Sequence, residues 1–167
     1  GIKINGELAG FALSIVVEYN TFDDSHTYKE ITGNYTFSTH DDNGDSLYGV
    51  DVFVSKKYRG LRLGRRLYEF RQELCEELNL KGIIFGGRLP NYKKYSETLT
   101  PKEYISKVRD REIYDPVLNF QLSNDFYVKR VLKNYLEGDV ESCEYASLLA
   151  WDNIYYTKPS KKPMSEK

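Results

Sequence analysis

Two β-prone runs open the chain and flank a tight-turn signal. Ile2 to Ile4 and Glu7 to Val17 are rich in β-branched and other apolar residues, and Asn5-Gly6 lies between them. The Asn-Gly dipeptide readily takes the positive φ angles of a two-residue turn. The pattern therefore predicts that the chain begins as a β-hairpin.

A polar and aromatic connection follows and leads into the central part of the chain. Within it, Ile31 to Ser38 is expected to contribute part of a strand. Tyr48 to Val54 alternates and is rich in β-branched residues, which predicts a further strand. After that strand, Ser55 to Gly64 is basic and contains two glycines.

The apolar positions change to a helical period after Gly64. Apolar residues recur at helical spacing while arginines and glutamates take other positions, which predicts an amphipathic helix that opens at Arg65 and ends near Gly82. Ile83 to Phe85 then predicts a buried strand. The apolar face of the helix is expected to consist of Leu67, Phe70, Leu74, Cys75 and Leu78.

The segment from about Gly86 to Pro116 is predicted to be an insertion with its own helix. Thr100-Pro101-Lys102-Glu103 matches a capping box with proline at the first helical position, so the helix should run from there to about Arg111. Long insertions in compact domains are often lids or binding loops. This insertion is therefore expected to shape one side of a binding site.

The remaining elements complete one α/β (α+β) domain over residues 1–156. Val117 to Leu122 has the content of a short helix, and Tyr127 to Tyr135 and Ser142 to Trp151 have that of strands. Thr157 to Lys167 is rich in Lys, Pro and Ser and is expected to be a disordered tail or linker. Together with the opening Gly1, this tail predicts a piece of a longer polypeptide.

The charge and the hydropathy of the chain exclude several classes of function. Lys plus Arg number 24 and Asp plus Glu 25, so the formal net charge is -1 and no global field draws the chain to nucleic acid or anionic lipid. No apolar run approaches the roughly 20 residues of a membrane helix, which predicts a soluble, cytoplasmic protein without a membrane partner.

Metal sites are not expected, because cysteine and histidine lack ligand spacing. Cys75 and Cys143 lie far apart in apolar patterns, which favours buried reduced thiols. His26 and His40 lie in polar loop sequence and are expected to be solvated at the surface.

The segment that carries chemistry is a strand, a basic glycine loop and a helix in succession. The loop is Arg59-Gly60-Leu61-Arg62-Leu63-Gly64, directly before Arg65. Backbone N–H groups at a helix start lack intrahelical partners and carry partial positive charge, so a phosphate can accept several hydrogen bonds there. The arginines of the loop and helix start oppose the helix dipole unless an anion is bound.

A phosphate site is therefore predicted, and the alternative is a solvated basic face with glycines that only turn the chain. A Walker loop needs Gly-Lys-Ser/Thr, and a dinucleotide fingerprint needs three glycines in the Gly-x-Gly-x-x-Gly register. The segment matches neither of these two phosphate loops.

The loop resembles the central motif of the GNAT acetyltransferase superfamily, Arg/Gln-x-x-Gly-x-Gly/Ala. The order of the predicted elements from Ile2 to Asp152 is also similar to that family. The resemblance implies a mixed, mostly antiparallel central sheet with helices on both faces. The family's usual first strand and two helices have no counterpart ahead of the hairpin.

A narrower similarity is to the GNAT domain found fused to carbon–nitrogen (nitrilase-like) hydrolases. It rests on the runs Tyr48 to Val54, Gly86 to Tyr92 and Phe120 to Asn124. This similarity implies a fused or associated carbon–nitrogen hydrolase as a partner. It leaves the formation of a homodimer open.

The resemblance further implies that the chain binds acetyl-CoA, or another acyl-coenzyme A, as a substrate. An amine of unknown identity would attack the thioester directly in a ternary complex, and strand amides would stabilise the oxyanion. The residues that would bind the coenzyme are Val52, Phe53 and Val54 for pantetheine and Arg59, Gly60, Leu61, Arg62, Leu63, Gly64 and Arg65 for pyrophosphate.

Two residues are candidates for proton transfer. Asp51 precedes the pantetheine strand and would act through water as the base, since partial burial raises the pKa of a carboxylate. The alternative for Asp51 is a purely structural carboxylate. Tyr92 is the candidate acid, with Tyr48 as a rival, and most of the 15 tyrosines are expected to be packing residues.

Two residues depart from the family pattern within the site. Arg62 stands where the motif has its first glycine, which narrows the local backbone freedom. Gln121 falls where many members carry the tyrosine that protonates the departing thiolate, and a glutamine is not an acid. The glutamine, the missing first strand and the tail favour a second reading, a non-catalytic acyl-CoA-binding or regulatory module of a larger polypeptide.

Overall fold

The computed structural model describes residues 1–158, in which six strands form one sheet. The helices and strands are β1 (Ile2–Ile4), β2 (Glu7–Val17), α1 (Tyr28–Ile31), β3 (Ser46–Val54), α2 (Leu63–Glu77), β4 (Gly82–Arg88), α3 (Pro101–Arg109), α4 (Pro116–Leu122), β5 (Tyr127–Leu132) and β6 (Ala146–Asp152). No helix in this range combines the length and the apolar character that crossing a membrane requires.

The strand order is β1-β2-β3-β4-β6-β5, and it confirms the predicted mixed, mostly antiparallel sheet. Only β3 and β4 run parallel, because α2 connects them across one face of the sheet. Side chains from α2, α3 and α4 form the larger core on that face. The short α1 packs with the smaller core on the opposite face.

Local signals in the sequence explain where several elements begin. Asn5 and Gly6 both have positive φ, 50° and 81°, and join β1 to β2 as predicted. The Thr100 hydroxyl accepts a hydrogen bond from the backbone N–H of Glu103, and the Glu103 carboxylate accepts one from that of Thr100. This capping box starts α3, which ends at Arg109.

The prediction of which side chains of α2 are buried was wrong in part. The helix begins at Leu63, two residues before the predicted start, and Phe70, Leu74 and Leu78 are exposed. The side chains buried against the sheet are Leu67, Tyr68, Arg71 and Cys75. The buried face of α2 therefore includes one arginine, and part of the predicted apolar face is exposed to solvent.

The connection between β2 and β3 also differs from the prediction. Ile31 to Ser38 forms no strand: a second capping box, between Thr27 and Glu30, starts α1, which ends at Ile31, and turns follow over residues 32–36. His26 precedes this helix and is buried instead of solvated. Its Nε2 atom lies 2.7 Å from the Tyr48 hydroxyl, which in turn lies 2.9 Å from the Tyr135 hydroxyl.

The predicted insertion starts within β4 and contributes to the larger core. Tyr104 and Val108 of α3 have no exposed surface. The Tyr104 hydroxyl donates a hydrogen bond of 2.6 Å to Asp115, whose carboxylate also accepts from the first backbone amides of α4. This segment is thus packed as firmly as the rest of the core, which is not the packing of an open lid.

Candidate functional site

The parallel strands β3 and β4 diverge and leave a cleft between them. They pair only at Leu47 with Ile83 and at Tyr48 with Ile84, although both strands continue beyond these pairs. A cavity of about 390 Å³ opens there. Its lining consists of Gly49, Val50, Asp51, Val52, Tyr68, Arg71, Phe85, Gly86, Arg88, Pro116, Val117, Phe120 and Gln121.

A β-bulge in β3 shapes the wall of this cleft. Leu13 of β2 pairs with Asp51 and Ser14 with Gly49, so Val50 is an extra residue. An extra residue reverses the alternation of side chains between the two faces of a strand. Val50 packs with the smaller core, whereas Val52 packs with the larger core on the side of α2.

Arg71 of α2 holds the bulge from the larger-core side. Its Nη2 atom donates hydrogen bonds to the carbonyl oxygens of Leu13, at 2.8 Å, and Asp51, at 2.7 Å. The side chain is buried, and burial lowers the pKa of Arg71, although a guanidinium stays protonated in proteins. The cleft therefore has a cation beneath its narrow end.

Gln121 of α4 lies on the opposite wall of the cleft. The residue is 6% exposed, and its Oε1 atom has no hydrogen-bond partner among the described residues. A Cβ atom at Gly87 would lie 2.4 Å from this oxygen, so a glycine in β4 is needed to admit the amide. An unpaired buried acceptor is costly unless a ligand or water donates to it.

Aromatic rings close the cleft towards α2. The ring of Tyr68 makes edge contacts with Phe85, Phe120 and Phe126 at centroid distances of 5.1–6.1 Å. Burial raises the pKa of the Tyr68 hydroxyl, and the nearby Arg71 charge opposes this shift. Phe120 also reaches the start of α2, because a Cβ atom at Gly64 would lie only 3.1 Å from its ring.

The predicted phosphate loop lies directly before and within the first turn of α2. Arg62 is the N-cap of α2 and has left-handed backbone angles, φ 57° and ψ 24°, where the family motif has glycine. Its side chain forms no cap hydrogen bond, and the first amide of α2 with a partner is that of Arg66. Within residues 1–158, no hydrogen bond engages the backbone amides of residues 60–65.

Only two of the four arginines near the loop are neutralised by a carboxylate. Arg65 and Arg66 both contact Glu69, at 3.2 Å and 2.9 Å. Arg59 and Arg62 are exposed and form no salt bridge with any described carboxylate. Their charges remain available to a ligand, and the excess of positive charge is smaller than the sequence alone indicates.

The predicted catalytic residues lie in different environments. Asp51 is exposed at the cleft, where its carboxylate accepts a hydrogen bond of 2.8 Å from the Val52 amide. Tyr92 lies in the larger core outside the cleft lining, and its hydroxyl donates to the carbonyl of Leu99. Tyr48 is fully buried and bonded to His26 and Tyr135. The structure brings Asp51 and Val52 together with the cleft but leaves Tyr92 outside it.

The three residues predicted to bind pantetheine do not all lie at the cleft. Phe53 is exposed and stacks on Phe11 at a centroid distance of 5.5 Å, away from the cleft lining. Val54 pairs with Gly10 at the end of β3. Val52 is the one of the three predicted strand residues that lines the cavity.

Sequence reasoning missed most of the cleft lining, including Gly49, Arg71 and Phe120. The signal for Arg71 was its place four residues from both Leu67 and Cys75, on the buried stripe of α2. A charged residue on such a stripe is unusual, and it should have marked a buried site. The roles of Gly49 and Phe120 depend on contacts between distant segments, which no local pattern encodes.

A larger groove of about 930 Å³ lies between α3 and β5. Its lining includes the basic residues Lys102, Arg109, Lys129, Arg130 and Lys133. None of its lining residues belongs to the cleft or to the loop before α2. The cleft is therefore the candidate site, although it is smaller.

The chain is similar to known proteins in both sequence and fold. Residues 1–94 match the model of the acetyltransferase (GNAT) family. The chain is 36% identical over 157 residues to the uncharacterized N-acetyltransferase YkwB of Bacillus subtilis (strain 168), covering 94% of this chain and 69% of that protein. It is 43% identical over 160 residues to the probable hydrolase YhcX of the same organism.

The match to YhcX covers 96% of this chain but only 31% of that protein, so the chain spans about a third of the length of this relative. In structure, the GphF GNAT-like decarboxylase in complex with isobutyryl-CoA has a TM-score of 0.74 and 18% identity, over 90% of this chain and 75% of that one. This likeness concerns the fold. The family match and the similarity to YkwB show that the chain belongs to the GNAT acetyltransferase family.

Proposed function

We propose that the chain is an N-acyltransferase that binds acyl-coenzyme A between β3 and the start of α2. One observation carries the proposal: the cleft opened by the divergence of β3 and β4 lies beside a helix start whose amides have no partner in residues 1–158. Strand edges present amide groups suited to pantetheine, and the helix start is suited to pyrophosphate. The exposed Arg59 and Arg62 supply cationic charge at that end.

The acyl transfer proceeds by direct attack on the thioester. The nitrogen lone pair of a neutral amine forms a bond to the thioester carbon, and the oxygen takes the negative charge. The carbon–sulfur bond then breaks, the amide product forms, and coenzyme A leaves as a thiolate. The amine loses a proton to a water molecule, which passes a proton on to Asp51, the proposed base.

The glutamine at position 121 is compatible with this reaction. A thiol of roughly the acidity of cysteine, with a pKa of about 8.5, is a tolerable leaving group without full protonation. The Gln121 amide and the nearby Tyr68 hydroxyl border the cleft as polar groups. Tyr92 remains a predicted acid only if acceptor binding brings it to the cleft, because its hydroxyl now bonds to Leu99.

A calorimetric titration followed by a turnover assay tests the proposal. Acetyl-CoA and coenzyme A should each bind at one site per chain and raise the melting temperature, because a ligand of the native state stabilises it. A panel of primary amines should then release free thiol from acetyl-CoA. The absence of both heat and stabilisation at millimolar ligand would remove the proposal.

Gly64 offers a variant that separates the coenzyme site from the rest of the molecule. In Gly64→Val, the new side chain would displace the Phe120 ring and crowd the amides at the start of α2. Coenzyme A affinity should fall roughly tenfold or more, which corresponds to ~1.4 kcal/mol. The matched control is Glu73→Val, which places the same side chain at an exposed position of the same helix.

The second candidate is a non-catalytic acyl-CoA-binding module, and Gln121 is the observation that favours it. Binding of acetyl-CoA without thiol release by any amine in the panel would support this candidate. A fused or associated carbon–nitrogen hydrolase is the proposed partner, because YhcX is named a probable hydrolase and extends well beyond the matched region. Co-purification of the chain with such a hydrolase would test that partnership.

A further inference from the structure

Arg71 is a buried cation without a carboxylate partner. Arg71 is 4% exposed, and no described carboxylate forms a salt bridge with it. Taking an unpaired charge out of water is strongly unfavourable, so such groups are usually paired. The two carbonyl oxygens of Leu13 and Asp51 satisfy only part of the guanidinium.

Of the donors that remain free on Arg71, those on Nη1 border the cleft beside Gly49, whereas Nε is enclosed within the protein. Both bonds to the bulge come from Nη2, and Nε has no partner in the part of the chain that the structure describes. The Nη1 atom lies where a Cβ atom of Gly49 would be 3.0 Å away, and among the described residues it also has no hydrogen-bond partner. A guanidinium has five N–H donors, so three of them are unused here.

The Nη1 donors lie at the narrow end of the cleft. Gly49 directly follows Tyr48, the last residue of β3 that pairs with β4. If the coenzyme runs along β3 from the loop before α2, as proposed above, its thioester comes to the bulge, and the acyl group points towards Gly49 and Arg71. The end of the cleft that would hold the acyl chain is therefore positively charged.

We propose that the narrow end of the cleft is a carboxylate subsite, in which Arg71 binds the free carboxylate of a dicarboxylic acyl group. The acyl donors of this chain are then thioesters of the malonyl or succinyl class. A carboxylate accepts charge-assisted hydrogen bonds from a guanidinium and would supply a directly bonded counter-ion, which Arg71 lacks among the described residues. The inference rests on the proposed coenzyme site and adds the class of acyl group.

The competing role for Arg71 is a clamp that only holds the bulge. That role needs the two bonds from Nη2 and leaves no use for the Nη1 donors beside Gly49. An uncharged amide would bond to two carbonyl oxygens at a lower desolvation cost. A clamp also predicts equal effects on all acyl-coenzyme A ligands, whereas a carboxylate subsite predicts discrimination between them.

The wild-type chain tests this inference by calorimetry with two thioesters of matched shape. Malonyl-CoA carries a carboxylate where isovaleryl-CoA carries two methyl groups. Malonyl-CoA should bind roughly tenfold tighter or more, a difference of ~1.4 kcal/mol. If coenzyme A binds but malonyl-CoA has no advantage over isovaleryl-CoA, the carboxylate subsite is wrong and the coenzyme site stands. If no coenzyme A species binds, the proposed function itself fails.

Variants then assign the preference to Arg71. Arg71→Met removes the two bonds to the bulge as well as the carboxylate contact, so every ligand should bind more weakly, but the ratio of the two affinities should fall to about one. Equal weakening of every ligand would indicate a clamp. If Arg71→Met does not fold, Gly49→Ala keeps the arginine and crowds Nη1, and it should reduce the preference for malonyl-CoA. An unchanged preference in Gly49→Ala would then contradict the subsite.

Discussion

Arg62 shows how one side chain can occupy a position that the backbone reserves for glycine. Its left-handed conformation at the N-cap of α2 is disfavoured for residues with a Cβ atom. Strain of this kind persists where the surrounding structure imposes it, often at a ligand site. The sequence revealed the departure from the motif, and the structure shows that the loop keeps the glycine-type backbone despite it.

Arg62→Gly should therefore make the chain more stable. Relief of the left-handed strain outweighs the greater freedom of glycine in the unfolded chain, and the free energy of unfolding should rise by roughly 0.5–1 kcal/mol. Urea denaturation measures this change. Arg59→Gly is the control, because Arg59 has an ordinary φ of -64° and its replacement should lower stability. A loss of stability in both variants would contradict the strain.

Asp139 is the residue whose charge should link stability to pH. Its carboxylate accepts two hydrogen bonds from Arg88, at 2.8 Å and 2.5 Å, and its side chain is 2% exposed. Burial raises the pKa of Asp139, but hydrogen bonds from Arg88 and Ser142 outweigh burial and hold the pKa below its ordinary value. The pair joins β4 to the connection between β5 and β6.

In the unfolded chain the pKa of Asp139 is about 3.9, and in the folded chain it is lower. The stabilisation by the Asp139 carboxylate is therefore fully present above about pH 3.9 and is lost as the pH falls through the pKa of the folded chain. Asp139→Asn should lower the free energy of unfolding by about 2 kcal/mol at pH 7. The difference from wild type should shrink below pH 4 in denaturation curves. Glu141→Gln, at an exposed partner of the same arginine, should change little at either pH. A difference that does not depend on pH would exclude a role for the charge.

At the scale of elements, the sequence predicted the sheet and the order of helices, but the buried face of α2 only in part. Hydrophobic periodicity favoured Phe70, Leu74 and Leu78, which the structure exposes. The helix is turned so that Tyr68 and Arg71 face the cleft. There Arg71 bonds to the bulge and Tyr68 packs against the other aromatic rings. Local pattern alone cannot predict this rotation, since it depends on contacts with β2, β3 and α4.

Local signals were sufficient where a helix is started by its own residues. The capping box at Thr100 was visible in the sequence, and it is present in the structure. The one at Thr27 has the same Thr-x-x-Glu pattern and was overlooked. The loop before α2 was likewise predicted from its glycines and arginines, whereas the walls of the cleft could not be.

Thr100→Ala should test how far the capping box stabilises α3. Loss of the hydroxyl leaves the Glu103 amide unpaired, and the free energy of unfolding should fall by about 1 kcal/mol. Coenzyme A affinity should not change, because Thr100 lies outside the cleft lining. Thr98→Ala is the control, since the Thr98 hydroxyl bonds only to the Tyr95 carbonyl. Equal losses in the two variants would argue against the cap.

At the scale of the whole molecule, the sheet consists of two three-stranded halves joined by a short seam. β1, β2 and β3 form one half and β4, β6 and β5 the other, and two residue pairs connect them. The family match ends at residue 94, just after β4, so it covers the first half, α2 and the seam. The loop, α2, β3 and β4 lie within the matched range, whereas α4, which adds Phe120 and Gln121 to the cleft, lies beyond it.

The seam should be visible in hydrogen exchange. Cleft-facing amides of residues 49–54 lack a strand partner on that side, so they should exchange faster than those of β6, which pairs with strands on both edges. Saturating coenzyme A should slow exchange in residues 49–54 and leave β6 unchanged, as followed by mass spectrometry of peptide fragments. Equal slowing throughout the sheet would indicate general stabilisation and not a ligand in the cleft.

The divergence of β3 and β4 also bears on how this protein avoids aggregation. An unpaired strand edge is normally a template for other chains, and proteins protect such edges with lysine, proline or a cover. Here the two open edges face each other across a gap that is closed at one end by Gly49 and walled by Tyr68 and Phe120. A strand from another molecule could pair with either edge only by entering the gap between β3 and β4. Val50 and Val52 can therefore stay apolar and β-branched without promoting aggregation, and the unpaired edges remain open to the proposed coenzyme.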